Sequence, residues 1–331
     1  MSQRSPDIRT VLGRLEGLGT TADLGAAGIS PTRIRTQLKT GALVQLSRGV
    51  YALPGLAEAA VGDPAREHAL ATAAAIRRLG SGAVASHQSA ALIHGLSLLS
   101  RPHPAKVTLT RSPEGSKSRS GRVGTRLHIA EIPPAHRTTA HGVQVTTVAR
   151  TVVDLARTVP FVEGVVVADS ALHDRNTAWG ELIAVQAAYP HWPGSRRAQH
   201  VIDFSDRRSE SVLESVARVS FDEHGLPAPR LQAWVGGDEG IVGRADFFWP
   251  EHSTIGEADG ALKYSTPTRA ISQLERDAWL REAGFEVVHF TWHQITTVPW
   301  QVVASLRAAF GRADAARALE AGADRQVQPQ I

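Results

Sequence analysis

The sequence predicts an α+β chain made of several modules. Three observations predict it. The first sixty residues read as short helices followed by a tight hairpin. The middle of the chain mixes Ala- and Val-rich helical stretches with isolated strands. The last hundred residues run helix, three strands, helix, strand, helix. The length, 331 residues, agrees with two or three modules, since domains usually hold ~100–200 residues.

Composition narrows the field. Hydrophobic residues make up 42% of the chain, enough for real cores, and there is no cysteine. The absence of cysteine excludes disulfides, thiolate zinc sites and cysteine nucleophiles. No apolar run reaches the ~20 residues that span a bilayer. The start, Met-Ser-Gln-Arg-Ser-Pro-Asp, lacks the apolar stretch of a signal peptide, so a cytoplasmic protein without membrane contact is expected. The net charge is only +4. Ala, Arg and Gly are abundant throughout, so arginine counts alone are a poor guide to function. No internal repeat of fixed period is visible.

Residues 1–58 form the first expected module. A helix is predicted over 8–18, with Leu12, Leu15 and Leu18 on its apolar side. Thr20 or Thr21 caps a second helix that Gly28 ends. Ser30 caps a third over 31–40, with Pro31 at its first position. That helix buries Ile34 and Leu38 and presents Thr32, Arg33, Thr36 and Lys39, and Gly41 stops it. Strands over 43–46 and 50–53 follow, joined by Ser47-Arg48-Gly49. This order is the winged helix-turn-helix plan, in which the third helix enters a DNA major groove. Thr32, Arg33, Thr36 and Lys39 are the candidate DNA contacts, and Arg48 at the wing tip is a candidate phosphate contact. A winged helix used for protein contact is the alternative.

Residues 59–205 read as a mixed α/β module. Helices are predicted over 65–79, 86–94, 147–157 and 162–172, with strands over 106–110 and 125–129. The segment from Arg101 to Arg126 holds seven Lys or Arg against one acid, Glu114. Such an excess attracts anions, or simply solvates a loop. His87 and His94 share a helix face, and packing is the simpler reading of that pair. Arg150 and Asp154 are spaced for a helix ion pair. Arg196, Arg197, Arg207 and Arg208 flank Val201-Ile-Asp-Phe, which reads as a solvated linker.

Residues 206–312 order themselves as a third module, with a tail over 313–331 expected to prolong a helix. A helix over 209–224 carries Glu214. Strands follow over 231–235, 243–249 with Asp246, and 254–258 with Glu257. A helix over 269–283, a strand over 286–291 and a helix over 302–310 complete it. This is the αβββαβ order of restriction-endonuclease-like cores. Carboxylates on neighbouring strands suit a hard divalent cation, which takes oxygen ligands. A lysine nearby, Lys263, suits a phosphate.

Two resemblances add to this reading. Gly28-Ile-Ser-Pro-Thr-Arg-Ile-Arg through Gly41, with Leu46-Ser-Arg-Gly-Val-Tyr-Ala-Leu-Pro-Gly, resembles the N-terminal domain of AbiEi-type antitoxins. These belong to type IV toxin–antitoxin and abortive-infection systems. The resemblance implies double-stranded DNA as partner, autorepression of an operon, and a cognate nucleotidyltransferase-type toxin. It continues more thinly through Ala85-Ser-His-Gln-Ser-Ala-Ala-Leu-Ile-His-Gly-Leu and Val145-Thr-Thr-Val-Ala-Arg-Thr-Val-Val-Asp-Leu-Ala.

Farther on, Ser211-Val-Leu-Glu-Ser, Arg244-Ala-Asp-Phe-Phe-Trp-Pro, Glu257-Ala-Asp-Gly-Ala-Leu-Lys-Tyr and Glu275-Arg-Asp-Ala-Trp-Leu-Arg-Glu-Ala-Gly-Phe-Glu-Val resemble the DUF559 group. That group is part of the PD-(D/E)XK nuclease superfamily and is related to very-short-patch repair endonucleases. The resemblance implies catalytic roles for Glu214, Asp246, Glu257, Asp259 and Lys263, with Asp246 and Glu257 as ligands of Mg²⁺. The sequence departs from the usual pattern at Asp259, where a lysine is common. Three functions remain open at this point. One is an antitoxin-type DNA-binding regulator with a nuclease-like module. Another is a Mg²⁺-dependent DNA endonuclease targeted by its winged helix. The third is a protein-interaction scaffold on a degenerate nuclease fold.

Overall fold

The computed structural model describes residues 6–79, 82–99, 106–113, 124–237, 240–260 and 267–326. The chain forms two compact units, residues 1–203 and 204–331.

The first unit opens with α1 (Ile8–Gly13), whose N-terminus Asp7 caps. The sequence suggests a helix running on to Leu18, but the chain turns at Glu16 and Gly17, where φ is 58° and 82°. Leu18–Thr20 leaves as strand β1 and pairs antiparallel with β3 (Val50–Ala52). Pairing wins over helical spacing because it buries Leu18 beside Val50 and Ala74. The second helix, α2 (Thr21–Ala26), begins with a reciprocal Thr20–Asp23 capping box. Next comes α3 (Pro31–Lys39), where Ser30 Oγ accepts from the Arg33 N–H at 3.3 Å. Strand β2 (Val44–Ser47) completes a sheet of order β1-β3-β2. Leu12, Leu24, Ile29, Ile34 and Leu43 form the core beneath it. Three helices around this small sheet make a winged helix.

After a short α4 (Pro54–Glu58) and a long α5 (Pro64–Leu79), a five-stranded sheet organises the rest of the unit. Its strands are β4 (Ala83–Ala85), β5 (Val107–Arg111), β6 (Thr125–Ile129), β7 (Arg137–Ala140) and β8 (Val143–Thr146), in the order β6-β5-β4-β8-β7. Only β5 and β6 were legible in the sequence. β4 is three residues long, and β7 and β8 form a hairpin whose turn places His141 and Gly142 at positive φ. The helices are α6 (His87–Ile93), α7 (Val148–Thr158), α8 (Phe161–His173), α9 (Trp179–Ala187) and α10 (Ser195–Phe204).

The segment read as a solvated linker is in fact α10. Ala198, Val201 and Ile202 are 0% exposed, the i, i+3, i+4 stripe of a helix packed on one side. Gly164 on α8 makes the approach close, since a Cβ there would lie 2.9 Å from Val201 Cγ2. The flanking arginines stay exposed, as expected of a solvated stretch, and one of them, Arg197, also anchors the helix by donating a guanidinium N–H to the Val159 carbonyl at 3.1 Å.

The second unit follows the expected order. It comprises α11 (Val212–Glu223), β9 (Arg230–Gly237), β10 (Gly240–Trp249), β11 (Thr254–Asp259), α12 (Pro267–Glu282), β12 (Glu286–Thr291), α13 (Trp292–Thr297) and α14 (Pro299–Gln326). The sheet order is β12-β11-β10-β9. β9, β10 and β11 pair antiparallel, and β12 runs parallel to β11. A parallel neighbour requires a crossover, which α12 supplies. On one face Phe221 of α11 meets Phe247, Trp249 and Phe290 edge-on, with centroids 5.3, 5.5 and 5.7 Å away. The other face packs Ile255, Phe248, Phe285 and Val287 around Leu280 of α12. As expected, the tail prolongs the closing helix, and α14 runs through to Gln326, the last described residue.

Phe221 therefore anchors this core. Phe221→Ala is expected to cost about 3–5 kcal/mol, the usual range for emptying a buried aromatic site. Urea unfolding of the second unit, followed by tryptophan fluorescence, checks it.

Candidate functional site

Two sets of residues carry chemistry. The first is the outer face of the winged helix. Pro31 and the Ser30 cap fix where α3 starts, and Ile34 (3% exposed) fixes which side faces inward. Thr32, Thr36 and Lys39 are consequently exposed along one side, while Arg33 is half-buried. Arg35 belongs with the exposed set and was missed by the sequence reading. It lies three residues after Thr32, and its guanidinium donates to Thr32 Oγ1 at 3.4 Å. Arg48 is exposed at the turn between β2 and β3, and Gly49 takes φ 77° to make that turn. From Leu24 to Ala57 the sequence holds four basic residues and no acid. The face is thus uniformly positive.

The second set lies at the sheet of the other unit. β11 is buried along its whole length, and Glu257 is 2% exposed. Its parallel register places Glu257 beside His289 and Asp259 beside Thr291. Alternation along a strand then projects Glu257, Asp259 and His289 from one face. α12 covers that face and supplies Arg276 and Asp277. An Arg276 N–H donates to Glu257 Oε1 at 3.0 Å and to the Arg244 carbonyl at 2.8 Å. Gly243 makes room for it, because a Cβ there would stand 3.0 Å from Arg276 Nε. His289 bridges two carboxylates, with Nδ1 3.2 Å from Asp259 and Nε2 2.8 Å from Asp277. The hydrogen bond to Asp259, reinforced by both negative charges, raises the His289 pKa above its ordinary value.

Asp246 and Glu214 join this centre through Gln232. The Gln232 amide donates to Glu214 Oε2 at 2.8 Å and, at 3.4 Å, to Asp246 Oδ1. Gln232 holds φ at 51° inside β9, a strained position for a non-glycine residue. Asp246 Oδ2 accepts the Ala258 N–H at 2.9 Å, which ties it to the strand between Glu257 and Asp259. Glu214 also closes the first turn of α11, accepting from Ser211 Oγ at 2.7 Å and from the Glu210 N–H at 2.9 Å. Burial pushes its pKa up, and the nearby Asp246 charge adds to that, while these hydrogen bonds oppose it.

Gln232 thus joins Glu214 to Asp246, and Asp246 bonds to the backbone of β11 between Glu257 and Asp259, which are paired separately with Arg276 and His289. Lys263 lies outside the described residues. Among the described residues no three His, Cys, Asp or Glu side chains are placed to hold a metal ion together. Glu257 is instead paired with a guanidinium and Asp259 with an imidazole. Asp246 Oδ2 accepts the Ala258 N–H and Glu257 Oε1 accepts from Arg276, so a divalent cation held by these two carboxylates would compete with those hydrogen bonds. Gln232, Arg276, Asp277 and His289 were not foreseen. A histidine inside an otherwise apolar strand, Glu286–Thr291, was the available signal for one of them.

The middle-region histidines part company. His94 Nε2 meets the Thr146 carbonyl at 2.7 Å, joining α6 to β8. His87 is 5% exposed and stacks instead on His128. The expected Arg150–Asp154 helix ion pair forms, 2.8 Å apart, and it is buried.

Residues 9–54 match the family described as "Transcriptional regulator, AbiEi antitoxin", the span that carries the winged helix. The chain is also 27% identical over 283 residues to two uncharacterized proteins of Mycobacterium tuberculosis, MT2308 and Rv2248. Those alignments cover 85% of this chain and 97% of each relative. A stretch of 283 residues is longer than either unit, so the likeness extends into both. Against the crystal structure of the Rv2827c protein of M. tuberculosis the TM-score is 0.38 at 18% identity, over 61% of this chain and 78% of that one.

The His289 site makes a pH prediction. Its folded pKa lies above the ordinary value of ~6.5. Its contribution to stability is therefore fully present below about pH 6.5 and is lost as pH rises through the folded pKa. The stability difference between wild type and His289→Gln should shrink over that window. Urea midpoints measured from pH 5.5 upward test this, and a ring titrating at or below pH 6.5 by NMR would contradict it.

Proposed function

We propose that the protein is a DNA-binding transcriptional regulator of antitoxin type. It docks α3 in a major groove and lays its wing along the phosphate backbone. The observation that supports this most is the acid-free outer face of the winged helix, with Thr32, Arg35, Thr36 and Lys39 on the exposed side of α3 and Arg48 at the wing tip. Lys39 and Arg48 are suited to phosphates. Arg35, together with Thr32 and Thr36, is suited to base edges. Arg33, being half-buried, contributes at the margin. Autorepression of its own operon and a nucleotidyltransferase-type toxin as partner follow from the antitoxin reading.

A second reading, a Mg²⁺-dependent endonuclease, draws on the αβββαβ order and on the gathering of Glu214, Asp246, Glu257 and Asp259. The Arg276–Glu257 and His289–Asp259 pairs weigh against it, because they fill the places a cation would take. Regulation without cleavage is the reading these pairs favour.

Two experiments test these statements. Binding of the chain to its own upstream DNA should weaken steeply with salt. Arg48→Ala should lower the slope of log K against log salt by about 0.9, the value for one lost phosphate contact. Arg35→Ala should instead relax sequence preference, at about 1–3 kcal/mol of discrimination. Failure to bind any duplex at low salt would sink the regulator reading. In parallel, plasmid incubated with Mg²⁺ should stay intact. Cleavage abolished by Asp246→Ala would establish the endonuclease.

A further inference from the structure

His87 has features that the regulator reading does not use. It is a buried residue with a backbone φ of 50°, a conformation that costs energy outside glycine. Its Nδ1 meets Ser86 Oγ at 3.1 Å, and Ser86 is held in turn by the Thr110 hydroxyl at 2.7 Å. The strained backbone and this chain of hydroxyls set the ring face-on to His128 of β6, with centroids 4.0 Å apart and planes 14° from parallel. Register explains the meeting, since β6 pairs His128 with Thr110. Among the described residues, neither the His128 ring nor His87 Nε2 makes a hydrogen bond.

The charges around the pair are positive. Arg157, Arg150 and Arg126 all act on the His87 ring, and Arg157 and Arg126 on His128. Arg150 and Arg157 are 1% and 12% exposed at their side chains, and both pair with one acid, Asp154. Both guanidinium groups also stack on Trp192, which fixes them in place. Two cations held against one carboxylate leave one positive charge in excess. Such an excess in a desolvated place calls for an anion.

We infer that the stacked His87–His128 pair, with Arg126 and the Arg150–Asp154–Arg157 triad behind it, is a binding site for a phosphate group. A phosphate ester offers several acceptor oxygens to imidazole and guanidinium N–H groups, and its charge offsets the excess. This site lies in the sheet-bearing part of the first unit and does not rest on the regulator reading.

The proton balance is part of the inference. Burial, first, and then the neighbouring positive charges hold both imidazoles below their ordinary pKa, so the empty pair is neutral near pH 7. A bound phosphate reverses the sign of the local field and favours the imidazolium form. Binding should therefore take up protons and tighten as pH falls. The charged groups acting on the pair are Arg126 on β6 and Arg150 and Arg157 on α7, the last two paired with Asp154.

The test is titration calorimetry of the full chain with inorganic phosphate and with AMP, at pH 6.5 and 7.5, in two buffers of different ionisation enthalpy. Saturable binding with proton uptake is expected, weakened at least tenfold by Arg126→Gln and by His128→Gln. Arg126 is exposed, so its replacement leaves the core intact. Arg48→Ala, in the wing, should leave phosphate binding unchanged. A DNA-backbone phosphate shares this chemistry, and displacement of AMP by short duplex would assign the site to the backbone. No binding at millimolar phosphate, or binding indifferent to both Arg126→Gln and His128→Gln, would overturn the inference.

Discussion

Glu257 is held in a strand that is buried from Thr254 to Asp259, and a carboxylate so placed must be met by a donor. Much of the second unit is arranged around that need. α12 crosses over the sheet and brings Arg276 to Glu257 and Asp277 to His289, so the helix that makes β12 parallel to β11 also neutralises the strand it covers. Gly243 is small so that the guanidinium can reach in. Gln232 accepts a left-handed backbone to carry its amide to Glu214 and Asp246. Breaking one such pair leaves the other charge stranded, which is why these contacts hold together as a set.

The same rule explains the first unit. The Arg150–Asp154–Arg157 triad is buried beneath Trp192, and its cations outnumber its acid. In the second unit Arg276 meets Glu257 and His289 meets Asp259, so each acid of the buried strand β11 has a cationic partner. In the first the excess remains and turns toward the stacked histidines. One unit has closed its charged centre, and the other has left its centre able to take an anion.

The winged helix works on a different principle. Its function depends on which residues stay outside, and that is fixed by Ile34 on the inner side of α3 and by the capping at Ser30. An acid-free surface needs no buried partner, because water solvates it until a polyanion replaces the water. This is why the residues proposed to read DNA could be named from helical spacing alone, with Arg35 the omission.

The sequence by itself determined the local features. Ser30-Pro31 and Thr20–Asp23 start helices wherever they occur, Gly41 and Gly284 end them, and the order of elements in residues 206–312 follows from periodicities of two and 3.6. Asp246 and Glu257 could be singled out because they stand on neighbouring strands, and Glu214 and Asp259 through the resemblance to the DUF559 group. What the tertiary structure decided is who meets them. Arg276 is nineteen residues from Glu257 and His289 is thirty from Asp259, so only the parallel register and the crossover join them. Likewise β1 took Leu18 from a helix, and α10 emerged from an arginine-flanked stretch, because distant partners, Val50 and Gly164, offered burial. Periodicity reports what a segment can bury; the fold decides against which neighbour, and with which charge.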